Sequence, residues 1–268
     1  MAQLPVKSAG CAARNDYLLV LLAACALSVP FFGMPPHVDA GYYGYLARAV
    51  AEGFRLHADI PAAQNSLGFY AHALAFKIFG PSLVVLRGVC LLFLLGFAAS
   101  FLTLARRVLA RKAALLATLV SLVFVCQPQI QRGFGRNHLL AVLFFITAGA
   151  YCALTAETKK RLALAGFLTG LAACFNESFL FCCAAPLLYA ALYYPAERVR
   201  AVWSAVGGTL AAFAIPAIML TAWGQWPGYI ADMTHMGAGA RLHGAYSSRF
   251  ANLLFVSWDF VVVYLAAV

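Results

Sequence analysis

Apolar residues run through the chain in long blocks, separated by short charged or turn-forming segments. Stretches free of Asp, Glu, Lys and Arg cover residues 17–38, 88–105, 113–131, 137–156, 162–176, 178–196 and 201–231, and an eighth, 252–268, is broken only by Asp259. A helix rises about 1.5 Å per residue, so roughly 20 mostly apolar residues cross the hydrocarbon layer of a membrane. The pattern therefore predicts an all-α polytopic membrane protein with about eight transmembrane helices. Residues 35–87 depart from it and form one long loop between the first two spans. In that loop, residues 37–53 read as a helix, with Asp39 as its N-cap and Gly53 as its stop. Tyr42, Tyr45, Leu46, Ala49 and Val50 recur at helical spacing and predict an amphipathic, interfacial helix. Residues 66–79 predict a second one, with Leu67, Tyr70, Ala71, Leu74 and Ile78 on one face and Phe79-Gly80-Pro81 ending it.

Composition sharpens this picture. Hydrophobic residues make up 64% of the chain and charged residues 10%, against about 25% charge in a soluble domain. A mean hydropathy of +0.84 excludes a disordered chain and points away from a water-soluble globule. The net charge of +10 raises the question of nucleic acid, but the basic residues sit between spans and form no stripe on a soluble domain. Their placement reads instead as membrane topology. With the N-terminus in the cytoplasm, the inner segments hold Lys7, Arg14, Arg106, Arg107, Arg111, Lys112, Lys159, Lys160, Arg161, Arg198 and Arg200, as the retention of basic loops inside requires. The 35–87 loop then faces outward from a multi-pass inner (plasma) membrane protein. The first span has a basic flank but is long, contains Pro30 and lacks a small-x-small cleavage site, so it reads as an uncleaved anchor. The eight cysteines lie mostly inside apolar blocks, with no C-x-x-C and no histidine at ligand spacing. They read as small packing residues, with no disulfide and no metal site.

The chemistry-bearing residues concentrate around the long loop. Asp39-x-x-Tyr42-Tyr43 is followed by Ala47-Arg48 and Glu52-Gly53, then by Asp59 in an irregular stretch, then by the helix ending Phe79-Gly80-Pro81-Ser82, and then by Arg87 at the head of the next span. Further on come Arg132-Gly133-Phe134-Gly135-Arg136-Asn137 and the run from Leu164 through Gly166, Gly170 and Ala172. In this order and spacing the chain resembles the N-terminal membrane module of the GT-C glycosyltransferases. Within them it is most similar to the protein O-mannosyltransferases, the lipid A aminoarabinose transferases and their bacterial relatives. It departs from their pattern at Glu177 and at Gln64-Asn65-Ser66, where many relatives carry a lysine. Relatives also continue through further spans, so the resemblance treats residues 1–268 as one module, truncated at its C-terminus.

The resemblance implies an inverting transfer of a sugar from a polyprenyl-phosphate donor to a glycan, lipid or protein acceptor on the outer face. Asp39 matches the catalytic carboxylate that takes the acceptor's proton, a role that suits a weakly nucleophilic hydroxyl. Arg132, Arg136, Arg87 and Lys77 are the candidates for the donor phosphate, since guanidinium binds two phosphate oxygens together. Asp59 and Glu177 are candidates for acceptor binding or for ordering the loop. No cofactor is implied, and Asp39 with a distant Asp59 does not define a divalent metal site. The alternative is a non-catalytic membrane protein, either a transporter or flippase or an inactive homologue; the chain shows no repeat between halves of the kind transporters carry.

Overall fold

A bilayer offers no partners to backbone amides, so a chain this apolar satisfies them internally, and helices are the simplest way to do so. The structure, a computed structural model, describes residues 10–62, 67–131, 134–135, 137–232 and 234. It is 84% helical, with no strand among the described residues. The helices are α1 (Gly10–Gly33), α2 (Val38–Ala51), α3 (Leu67–Phe79), α4 (Leu83–Val108), α5 (Arg111–Val125), α6 (Pro128–Gln131), α7 (Asn137–Leu154), α8 (Lys159–Phe175), α9 (Ala184–Tyr193) and α10 (Arg198–Ala222).

Among the described residues, four helices are long and apolar enough to cross a membrane: Arg14–Gly33, Leu83–Val108, Asn137–Leu154 and Pro195–Ala222. They fall on four of the apolar blocks read from the sequence. Three more blocks give shorter helices. The 113–131 block ends its helix at Val125, and Pro128, which lacks an N–H, starts the short α6. Block 162–176 gives the 17-residue α8. Block 178–196 opens with a 3-10 segment, Glu177–Cys183, before α9. The 252–268 block lies outside the described residues.

Helix packing relies on small residues. A Cβ on Gly208 would lie 1.9 Å from the Ala163 carbonyl oxygen, and one on Gly166 would lie 2.1 Å from that of Ala205. Backbones of α8 and α10 thus touch directly, as small residues permit where apolar burial gives helices no net drive to associate. Thr209 Oγ1 donates to the Gly166 carbonyl at 3.2 Å across the same seam. Between α4 and α7, Ser100 shares a hydrogen bond with Thr147, and Phe144 lies against Gly96.

The bundle has two distinct ends. At one, Asp16 of α1 is clasped by Arg106 of α4 and by Arg111 of α5, whose Nε lies 2.7 Å from Oδ2. Arg107 stands over the Tyr151 ring, and Lys159 pairs with Glu197. This end collects the basic segments. At the other end, α2 and α3 lie over the heads of α4 and α7: Tyr43 and Leu46 pack on Phe69 and Leu56, while Ala40 and Ala47 pack on Phe76 and Leu86.

The loop helices have the expected stops. Gly53 (φ +104°) and Gly80 (φ +82°) take the left-handed conformation that closes α2 and α3. Their faces differ from expectation. In α2 the buried positions are Ala40, Tyr43, Leu46, Ala47 and Ala49, while Tyr45 is 64% exposed. In α3 the buried set is Gly68, Phe69, His72, Ala73 and Phe76, and Leu74 and Ile78 point outward. Both helices are apolar on most sides, so periodicity found only part of the packed stripe: Leu46 and Ala49 are buried, and Tyr42, Val50, Leu67, Tyr70 and Ala71 pack half-buried against the core. Packing on α4 and α7 chose the stripe holding the small residues and the histidine.

Gly208→Leu forces α8 and α10 apart and is expected to lower unfolding stability in detergent by about 1–3 kcal/mol or more. Gly207, whose Cβ position meets nothing within 4 Å, is the control: Gly207→Ala is expected to leave the midpoint unchanged or slightly raised. Equal effects at the two glycines contradict the close seam.

Candidate functional site

The candidate residues meet at the loop end of the bundle, and α2 positions the first of them. His37, not Asp39, is the cap of this helix: its Nδ1 accepts from the Asp39 N–H at 3.2 Å. Asp39 sits two positions inside, in the first turn, where the partial positive charge of the helix N-terminus favours a carboxylate. Its side chain is 32% exposed, so it is reachable from water and still held by the helix. The next residue, Ala40, packs against Gly135 so closely that a Cβ on Gly135 would sit 2.4 Å from the Ala40 Cβ. The Asp39 turn therefore rests on the segment entering α7. Arg132 and Arg136, on either side of Gly135, lie outside the described residues.

One turn further along α2, Tyr43 is buried and donates or accepts a 2.7 Å hydrogen bond at His138 Nδ1. Its ring stacks on His138 (5.2 Å) and on Phe69 (4.7 Å). Beside it, Asn137 Nδ2 donates to the Gly68 carbonyl at 2.8 Å, so the head of α7 is tied to α3. His72 completes this buried polar layer. It is fully buried, and among the described residues neither ring nitrogen makes a hydrogen bond of good geometry. Burial pulls its pKa from 6.5 down to about 3, against a weaker opposing effect of the Gly135 backbone.

A second tie runs from the loop to the chain beyond α10. His57, at φ +65°, points a fully buried ring at Asp232, with Nδ1 2.7 Å from Oδ2. The same oxygen accepts from the Ala62 N–H at 2.9 Å. Gly228 lies beneath His57 so tightly that a Cβ there would sit 1.4 Å from the His57 carbonyl oxygen. Tyr70 adds a hydrogen bond to Gln225 at 3.2 Å. Burial lowers the His57 pKa, although Asp232 pulls it the other way.

The other predicted site residues divide by environment. Asp59 accepts from the Arg55 N–H (2.8 Å), Nε (3.1 Å) and Nη2 (3.0 Å), so it orders its own turn, and the Arg55 guanidinium holds its carboxyl below the usual range. Arg87 is 1% exposed and spends its guanidinium on backbone carbonyls, Phe32 at 3.0 Å and Met34 at 2.6 Å, which caps the end of α1. Lys77 is exposed in the last turn of α3. Glu177 is exposed at the start of the 3-10 segment and lines a separate cavity. A groove of about 240 Å³ runs beside the Asp39 turn, lined by Pro36, Ala40, Gly41, Gly44, Arg48 and Leu86 among others. Among the described residues no cluster of His, Cys, Asp and Glu is arranged to hold a metal ion. Comparison with protein-family models, with curated proteins and with solved structures finds no match.

The sequence reading missed Tyr43, His72, His138 and Asp232. Tyr43 was legible as one of the loop's tyrosines but not as the buried one, and His57 and Asp232 are 175 residues apart, with no motif linking them.

His72 sets a pH dependence. Its folded pKa lies below its ordinary value, so the unfolded chain takes up the proton first, and stability present above pH 6.5 is lost as pH falls toward about 3. The loss approaches about 1.4 kcal/mol per pH unit in that window. His72→Phe is expected to flatten the fall in the unfolding midpoint between pH 7 and pH 5; an unchanged slope contradicts the buried neutral imidazole.

Proposed function

We propose that this chain is a membrane glycosyltransferase module of the GT-C type, which moves a sugar from a polyprenyl-phosphate donor to an acceptor on the outer face with inversion. The observation that carries the reading is the placement of Asp39: half-exposed, in the first turn of α2, and seated on the segment that enters α7. In this reading the basic end of the bundle is cytoplasmic and the loop end is outside, as basic-residue retention requires. About eight spans cross the plasma membrane, the shorter apolar helices among them.

Asp39 acts as general base. It takes the acceptor hydroxyl's proton as the oxygen attacks the sugar carbon from the face opposite the phosphate, and the carbon–phosphate oxygen bond breaks with its electron pair leaving on the phosphate. The N-terminus of α2 stabilises the charged carboxylate before that step. Arg132, Arg136 and Lys77 are the cations assigned to the lipid phosphate. Arg87 is left out of this set, because it is 1% exposed and its Nη1 and Nη2 donate to the Phe32 and Met34 carbonyls. Asp59 serves the site by holding the 55–60 turn, and the groove beside Asp39 gives the acceptor an approach.

Asp39→Asn keeps the size of the side chain and removes its basicity. It is expected to lower transfer by about 10²–10⁴-fold with an unchanged unfolding midpoint, measured against a library of polyprenyl-phosphate sugars. Full activity in the variant removes Asp39 from the mechanism. Movement of a lipid-linked substrate across a bilayer without any sugar transfer replaces the enzyme with a transporter.

A further inference from the structure

Away from the Asp39 turn, the ends of α8 and α10 and the turn that follows α10 enclose a cavity of about 360 Å³. Its walls are apolar: Leu180 from the 3-10 segment and Phe213 and Leu220 from α10. At its rim stand two aromatic rings, Trp226 and Tyr229, set edge to face at 6.0 Å, and a single ionisable carboxylate, Glu177.

Each part of the rim is fixed. The Asn176 side chain accepts from the Ser178 N–H at 3.1 Å and so holds the turn that carries Glu177. Trp226 Nε1 donates to Thr221 Oγ1 at 2.9 Å. Tyr229 meets the edge of the buried His57 ring at 5.1 Å. Among the described residues Glu177 makes no ion pair. Its negative charge is felt at Tyr229, whose phenol is pushed up first by burial and then by Glu177.

We infer that this cavity binds an amphiphile with an apolar chain and a positively charged amine head. The apolar walls take the chain, whose methylenes gain by leaving water. A carboxylate and two electron-rich rings select the head, because a cation gains from both Coulomb attraction and the ring faces. An anionic head meets the carboxylate's repulsion with no cation among the lining residues, which separates this site from any that takes a lipid phosphate. The inference stands whether or not the chain transfers sugars.

The test uses the full chain in lipid nanodiscs and three probes with the same chain: dodecylamine, dodecanol and dodecyl phosphate. Binding is read as the change in intrinsic fluorescence that Trp226→Phe abolishes. Saturable binding of dodecylamine is expected, at least about tenfold tighter than dodecanol, with dodecyl phosphate weakest. Glu177→Gln is expected to remove that tenfold preference while leaving dodecanol binding unchanged, since Glu177 is exposed and anchors nothing. Ala217→Trp, which fills the cavity from α10, is expected to abolish binding of all three. Equal affinity for amine and alcohol, preference for the phosphate, or an amine preference that survives Glu177→Gln overturns the assignment.

Discussion

The hydrogen bond between the Tyr43 hydroxyl and His138 Nδ1 joins a loop helix to a spanning helix in a fully buried setting, and the candidate site depends on it. A polar group that loses its partner inside a protein costs about 1–3 kcal/mol, so neither residue can leave the other cheaply. The bond fixes the rotation of α2 about its own axis. Asp39 lies four residues before Tyr43, one turn away on the same face, so that rotation also fixes where the carboxylate stands. Asn137, the neighbour of His138, ties the same end of α7 to Gly68 of α3. The two loop helices are thus held in register on the bundle by polar contacts, with apolar packing around Phe69.

The loop is fastened a second time at its far side. Asp232 takes a hydrogen bond from Ala62 and pairs with His57, and both partners come from the one irregular stretch of the loop. Asp59 stiffens that stretch from within through its three bonds to Arg55. A segment that sequence alone presents as a surface loop thereby becomes a roof over α4, α7 and the end of α10. The glycines at 135 and 228 allow the roof to sit close, since any side chain at either would strike backbone or a Cβ.

Much of the helical frame was legible in the sequence, because long apolar blocks and glycine stops depend on local physics. Gly53 and Gly80 end their helices as read. The rotation of α2 and α3 was not legible: where apolar residues occupy most of a helix, the buried stripe is decided by what lies opposite. Tyr45 is exposed and Tyr43 buried although both fit a helical period. Asp39 was correctly placed at the start of α2 but not as its cap, since His37 supplies an acceptor two residues earlier than an N-cap preference for Asp suggests. Arg87 has a role that no linear pattern announces: its Nη1 and Nη2 donate to the open carbonyls at the end of α1. The pairings His57–Asp232 and Tyr43–His138 join distant segments, so only the fold reveals them.

The account stands on the coupling between Tyr43 and His138. A double-mutant cycle with Tyr43→Phe and His138→Phe keeps two aromatic rings at these positions and isolates the coupling between them. Measured as unfolding free energies in detergent, the cycle is expected to give a coupling of at least about 1 kcal/mol. Additivity within about 0.3–0.5 kcal/mol contradicts the claim that this bond seats α2, and with it Asp39, on the bundle.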